Sequence, residues 1–159
     1  MANPPPAGQP AAADLGQRLQ SLGERLESLG RSLGEREATH KGTLDQARSR
    51  AEKLRGEVQG AIERFHSAAS AAGASHLRIE VSPVRLDDKH LRSVEFELQR
   101  GRHRALIIAK AKGEFTLVGP FRVGKVEGPC LSFPFDAEDE LAGALTGFLE
   151  SFLEEAAAP

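Results

Sequence analysis

The sequence predicts an α+β protein: a leucine-heptad helix or helical hairpin of coiled-coil type, then an antiparallel meander of about four to six strands, closed by a C-terminal amphipathic helix. Three observations predict this class. Apolar residues recur at steps of three and four from Leu15 to Ala72, alternate with polar residues from His76 onward, and return to helical spacing after Asp136. At 159 residues the chain is long enough for one compact domain with appendages.

The first segment, residues 1–13, contains little except Pro, Ala, Gly and Gln, which predicts a disordered tail. It lacks the basic and apolar regions of a secretory signal. No later run approaches the length of a transmembrane helix. Together with the single Cys130, which fits a reducing compartment, these features predict a cytoplasmic protein without a membrane partner.

The second segment, residues 14–42, carries leucines at alternating steps of four and three, as in a coiled-coil seam: Leu15, Leu19, Leu22, Leu26, Leu29 and Leu33. With Leu15 at heptad position d, the e positions beside the seam are all glycine, namely Gly16, Gly23 and Gly30. Each glycine costs a helix interior about 1 kcal/mol, so we expect helix formation to depend on a second helix that approaches closely. These leucines and glycines are the predicted oligomer or partner interface. The alternative explanation for the regularly spaced glycines is mutational drift in a repeated coding sequence.

The third segment, residues 43–75, carries a second helical stripe of apolar residues: Leu44, Ala47, Ala51, Leu54, Val58, Ala61 or Ile62, Phe65, Ala69 and Ala72. Its phase does not continue that of the leucines, because 11 residues separate Leu33 from Leu44. One interpretation is an uninterrupted helix with a stutter.

The other interpretation, which we favour, is a break or kink at residues 39–42. Gly42 suits the position after a helix end, and Thr43–Gln46 has the form of a capping box. After such a break, the small side chains of Ala47 and Ala51 could receive leucines from the first helix, within one chain or across a dimer.

The fourth segment, residues 76–159, is predicted to form the sheet and the last helix. Alternation over residues 94–98 predicts a half-exposed strand, and ALIIA at 105–109, apolar on both faces, predicts the central and most buried strand. The turns are too short for parallel crossovers, so the strands should form a meander. We expect Asp136 to cap the last helix. The face that this helix lays on the sheet consists of Leu141, Leu145, Phe148, Leu149, Phe152 and Leu153.

No residue pattern predicts catalytic, cofactor or metal chemistry. The five histidines are scattered without ligand spacing, and VGPFRVGK lacks the spacing of a phosphate-binding loop. Cys130 begins an alternating run and is expected to be a buried small hydrophobe. We therefore predict that the protein is not an enzyme.

The charges of the C-terminal half are unevenly distributed. Residues 77–135 hold eleven basic and seven acidic side chains, and residues 136–159 hold seven acidic and no basic ones. A candidate anion or partner patch lies on one predicted turn, at Arg100, Arg102, His103 and Arg104. Lys110 and Lys112 should lie at the opposite end of the sheet, with Arg122 on a neighbouring strand. We favour the alternative that these basic side chains are solvated at the ends of strands. The acidic last helix could neutralise their charge.

In its order of elements alone, a coiled coil followed by a small helix-flanked meander resembles adaptor and tethering proteins, including those that join a coiled coil to an RWD domain. This resemblance implies a non-enzymatic assembly or adaptor protein. Its leucine helix would form a homodimer or dock a partner helix, and its C-terminal domain would bind another protein. One alternative is a small-ligand binder or enzyme with a pocket between the sheet and the last helix. Another is a polyanion or nucleic-acid binder that uses the Arg100–Arg104 turn, which the scarcity of aromatic residues disfavours.

Overall fold

The computed structural model describes residues 11–87, 92–124 and 128–158, the side chains of 11–13 excepted. Within them lie two helices and six strands: α1 Ala11–Ala71, β1 Glu80–Val81, β2 Arg85–Leu86, β3 Ser93–Arg100, β4 His103–Lys110, β5 Glu114–Arg122, β6 Cys130–Pro134 and α2 Glu138–Ala156. The predicted α+β class is confirmed. Of the predicted tail, residues 1–10 lie outside the described residues and residues 11–13 begin α1.

Helix α1 is continuous, so the break that the sequence favours at residues 39–42 is wrong. The Thr43 hydroxyl does not cap a new helix, because it donates a hydrogen bond back to the carbonyl of His40 (2.9 Å). The Thr39 hydroxyl likewise donates to the carbonyl of Glu35 (2.9 Å). A glycine inside a helix costs about 1 kcal/mol, which is less than the cost of leaving the backbone groups of two new helix ends without partners.

The chain divides into two compact units, residues 1–39 and 40–159. The first unit contains the N-terminal part of α1. The second contains the remainder of α1, the sheet and α2, and it holds the buried core.

The sheet of the second unit is antiparallel, with strand order β1-β3-β4-β5-β6 and with β2 paired to β3. As predicted, β4 is central. It is buried on only one face, however: Ala105, Ile107 and Ala109 are inaccessible, while Leu106 and Ile108 remain partly exposed. The prediction of a strand buried on both faces is therefore half wrong, because both helices contribute to a single core on one side of the sheet.

The predicted stripe of α1 forms part of this core, through Ala47, Ala51, Leu54, Val58 and Ile62. Both alanines are at most 1 % exposed within the second unit. They belong to the core cluster with the sheet residues, so the expectation that they receive the leucines of the first segment is wrong.

Two polar contacts fasten α1 to the chain that follows it. The buried His66 Nε2 accepts a hydrogen bond from the Ile79 backbone N–H (2.9 Å). The Arg55 guanidinium donates to the carbonyls of Ser82 (2.6 Å) and Val81 (3.1 Å). These bonds satisfy backbone groups beside β1 and fix α1 along that edge of the sheet.

Helix α2 lays the predicted face on the sheet, where Leu141, Phe148 and Phe152 are buried. The predicted cap at Asp136 is wrong, since Ala137 is the N-cap residue and no side chain bonds to the first turn. The Ala137 N–H bonds to the carbonyl of Pro134 (3.1 Å), so a turn shifts the helix start by one residue. Acidic residues still occupy the first turn, where the helix dipole favours them.

Candidate functional site

The leucines of the first unit form an exposed apolar stripe on α1, which we call the leucine seam. Its members are 47 to 56 % exposed: Leu15, Leu19, Leu22, Leu26, Leu29 and Leu33. None belongs to the buried core cluster or to the partly buried residues that pack against it. Within the first unit, the described residues give the seam no apolar partner.

The glycines beside the seam face open space. A Cβ built on Gly16, Gly23 or Gly30 would meet no atom within 4 Å. Packing inside the described chain therefore does not require glycine at these three positions.

The other edge of the seam is polar, because the heptad places Arg18, Arg25 and Ser32 at the g positions. Arg18 forms an ion pair with Asp14 at i,i+4 (2.9 Å), and Arg31 pairs with Glu27 (3.5 Å). Such exposed pairs contribute only tenths of a kcal/mol each. The seam thus has one edge of glycines and one edge that carries two arginines and a serine.

The predicted patch at residues 100–104 lies on the tight hairpin between β3 and β4, where Gly101 adopts a φ of +57°. The strand register places Arg100 opposite His103, and His103 opposite Arg122 on β5. Directly paired residues share a sheet face, so these three side chains form one line across three strands. We call Arg100, His103 and Arg122 the basic row. Arg100 and His103 are half-buried, and Arg122 is exposed.

The structure separates Arg104 from this row. Arg104 is adjacent to His103 along β4 and therefore points to the opposite face. Its guanidinium donates to the carbonyls of Gly101 (2.6 Å) and His103 (3.0 Å), so it orders the hairpin. Arg102 is exposed at the tip of the turn. The sequence identified Arg122 only as a neighbouring basic residue, because its pairing with His103 depends on the strand register.

Lys110 and Lys112 lie at the opposite end of the sheet, as predicted, because Lys110 pairs in register with Ser93. Both ammonium groups contact Glu114 Oε1, at 3.4 and 3.2 Å. The hydrogen bond from Lys112, together with the charges of both lysines, holds the pKa of Glu114 below its ordinary value. These two lysines are therefore already partly neutralised.

A cavity of about 680 Å³ opens at this same end of the sheet. Ile108 and Val118 form part of its apolar wall, and Lys110 and Lys112 are among its basic lining residues. A smaller cavity of about 350 Å³ is lined by Leu54, Phe115, Leu141 and neighbouring residues of α1, α2 and β5. Deeper under α2, Phe148 and Phe152 belong to the packed core. Of these two cavities, the smaller one lies where the alternative interpretation predicts a pocket, between the sheet and α2.

Cys130 is exposed on the edge strand β6, so its predicted burial is wrong. Its cross-strand partner is Val118, on the sheet face opposite the core. Among the described residues, no three His, Cys, Asp or Glu side chains form a group that could hold a metal ion. No helix in the described part of the chain has the length and apolar character needed to cross a membrane.

No protein-family model, curated protein or solved structure matches this chain.

Proposed function

We propose that this protein is a non-enzymatic assembly or adaptor protein. It forms a homodimer through the leucine seam and binds another protein through its C-terminal α+β domain. The observation that carries the proposal is the seam itself: six leucines in heptad spacing, each about half exposed. A contiguous apolar surface of this kind marks an interaction site. The exposed thiol of Cys130 supports a reducing compartment such as the cytoplasm.

The area available on the seam suits a reversible dimer. Burying a whole leucine side chain is worth about 1.5–3 kcal/mol, so burying the exposed half of each is worth roughly 1 kcal/mol. The twelve leucines of two chains would contribute roughly 12 kcal/mol. Association itself costs about 4–15 kcal/mol. Because the two quantities are similar, the dimer should dissociate on dilution.

The edges of the seam favour a parallel, in-register dimer. In that arrangement, position g of one helix lies beside position e of the next heptad in the other. Arg18 would then lie beside the partner's Gly23, and Arg25 beside the partner's Gly30. Each arginine stem could cover leucines that the glycine edge leaves bare. An antiparallel arrangement that aligns all six leucines would instead bring Arg25 beside the partner's Arg25, where like charges repel.

Self-association is tested by the solution mass of the full chain across a dilution series. We expect the double variant L22E/L26E to be monomeric, because four carboxylates would have to be buried in the dimer. The control Q17E/Q20E adds the same charge to the same helix away from the seam and should remain dimeric. A wild-type chain that is monomeric at every concentration would overturn the proposed dimer.

Helix orientation is tested by disulfide trapping in a Cys130→Ser background. In a parallel dimer Leu22 faces the partner's Leu22, so L22C alone should form a disulfide-linked dimer on oxidation. In the antiparallel arrangement Leu22 faces the partner's Leu26. Cross-linking only in a mixture of L22C and L26C chains would therefore reject the parallel arrangement while leaving the dimer intact.

A further inference from the structure

We propose that the basic row, Arg100, His103 and Arg122, binds an acidic peptide segment of a partner protein. The inference rests on the adaptor function proposed above and specifies the chemistry that the C-terminal domain would recognise. It is carried by three observations: the alignment of the row, the absence of ion-pair partners within the described chain, and the pairing of cations elsewhere on the same sheet.

The alignment is set by the backbone register. Arg100 pairs with His103, and His103 pairs with Arg122. Because neighbouring strands are about 4.8 Å apart, the row spans roughly 10 Å across three strands. The two arginines therefore flank His103, and an anionic segment lying along the row could contact both guanidinium groups.

The basic row has no anionic partner in the part of the chain that the structure describes. Among the described residues, none of the three side chains takes part in an ion pair. The Nε of Arg100 is buried and has no hydrogen-bond partner. The acidic helix α2 does not neutralise the row through an ion pair, since its one ion pair in the described chain joins Glu138 to Arg50 (4.0 Å).

Three other cations at the sheet have carboxylate partners. Arg85 lies 3.3 Å from Glu95 and 3.4 Å from Glu97. At the far end of the sheet, Lys110 and Lys112 share Glu114. The basic row therefore differs from these sites in offering its charge to an external group.

The chemistry of the row favours carboxylates on a peptide. A guanidinium presents parallel donors that bind a carboxylate through two hydrogen bonds. A row of three residues can engage two or three carboxylates, which a short acidic segment supplies. Binding of single-stranded nucleic acid relies on aromatic side chains for base stacking, and the chain has no Trp or Tyr. The overall charge of −2 also gives little attraction for a long polyanion.

The test uses the full chain and an N-acetylated, C-amidated octaglutamate peptide at low ionic strength. In the wild-type protein, amide NMR shifts should move at the β3–β4 hairpin and around Arg122, and they should saturate. R100Q/R122Q should raise the dissociation constant by about tenfold or more, because it removes two charge-assisted contacts. The control K110Q/K112Q removes the same charge from the other end of the sheet and should bind as the wild type does.

Three outcomes would overturn the inference: no saturable shift in the wild type, shifts centred on Lys110 and Lys112, or equal losses in both double variants. Tighter binding of an oligothymidylate than of the peptide would reject the peptide assignment in favour of nucleic acid. The wild-type shift map keeps the test valid if R100Q/R122Q fails to fold. The monomeric L22E/L26E chain should still bind the peptide, so failure of the dimer and failure of the basic row can be distinguished.

Discussion

Replacing Gly16, Gly23 and Gly30 together by alanine tests why the seam is bordered by glycine. A methyl group at each position would meet no atom of the described chain within 4 Å, so the variant introduces no clash there. Alanine is favoured over glycine in a helix interior by about 1 kcal/mol, so each α1 should gain roughly 3 kcal/mol of helix stability. Far-UV circular dichroism during thermal denaturation should report this gain.

The dimer should nevertheless weaken. The structure shows the leucine-bearing part of α1 as a helix in the single chain, contrary to the expectation that the glycines make its formation depend on a second helix. The gain in helix stability therefore applies to monomer and dimer alike and cancels from the dissociation constant. What remains is steric: four of the six methyl groups, those at positions 23 and 30 of the two chains, would lie where the arginine stems of the partner cross. Overpacking costs about 1–3 kcal/mol where it occurs. We therefore expect the dissociation constant to rise by about tenfold or more.

Sedimentation equilibrium measures this constant, and Gly34→Ala is the matched control. Gly34 stands at heptad position b, away from the seam, and also faces open space. Its replacement should stabilise the helix without changing dimer affinity. If the triple variant dimerises as tightly as the wild type, or more tightly, the glycines have no role in close approach and the reasoning from the seam edges fails.

Substitutions at two further positions test contacts in the second unit. His66→Leu should lower the free energy of unfolding by about 1–3 kcal/mol, measured by urea denaturation, because the Ile79 N–H loses its buried acceptor. His66→Gln, which can supply an oxygen acceptor, should lose less. Lys112 lowers the pKa of Glu114, so the contribution of Glu114 to stability is present above pH 4.5 and is lost as the pH falls through the lowered value. As the pH falls through this range, we expect the free energy of unfolding to decrease by less than about 1 kcal/mol, and Glu114→Gln should abolish this decrease. A Glu114→Gln variant with the same acid profile as the wild type would contradict the interaction.

Most of the fold can be predicted from the periodic spacing of the apolar residues. The apolar stripe of α1, the central place of β4 and the buried face of α2 follow from spacing, because each reflects a single face of one element. Local signals at helix ends were less reliable. Gly42 and Thr43 look like an end and a start, yet the helix continues and the Thr43 hydroxyl bonds to the preceding turn. Asp136 fails as a cap because the turn after β6 moves the helix start to Ala137.

The two candidate sites also differ in whether the sequence alone predicts them. The leucine seam is readable from sequence because it lies on one helix. The basic row is not, because it joins three strands whose register includes an irregularity between Arg104 and Leu106. There Gly119 adopts a φ of +116°, and a Cβ on it would lie 3.1 Å from the Arg104 carbonyl oxygen. The glycine permits this close backbone approach and so helps to set which residue of β5 faces His103. No spacing rule reveals that position.

The two proposed interactions together predict avidity. One basic row offers few contacts and should bind an acidic segment weakly, but a dimer carries two rows. A peptide with two octaglutamate segments on a sufficiently long Gly/Ser linker could engage both, and its second binding event would become intramolecular. By titration calorimetry, the tandem peptide should bind the wild-type dimer at least about tenfold more tightly than it binds L22E/L26E. The single peptide should bind both proteins equally. If the tandem peptide binds the wild-type dimer and L22E/L26E with equal affinity at every linker length, the two rows act independently. Dimerisation must then serve the adaptor in some way other than by joining its acidic-segment sites.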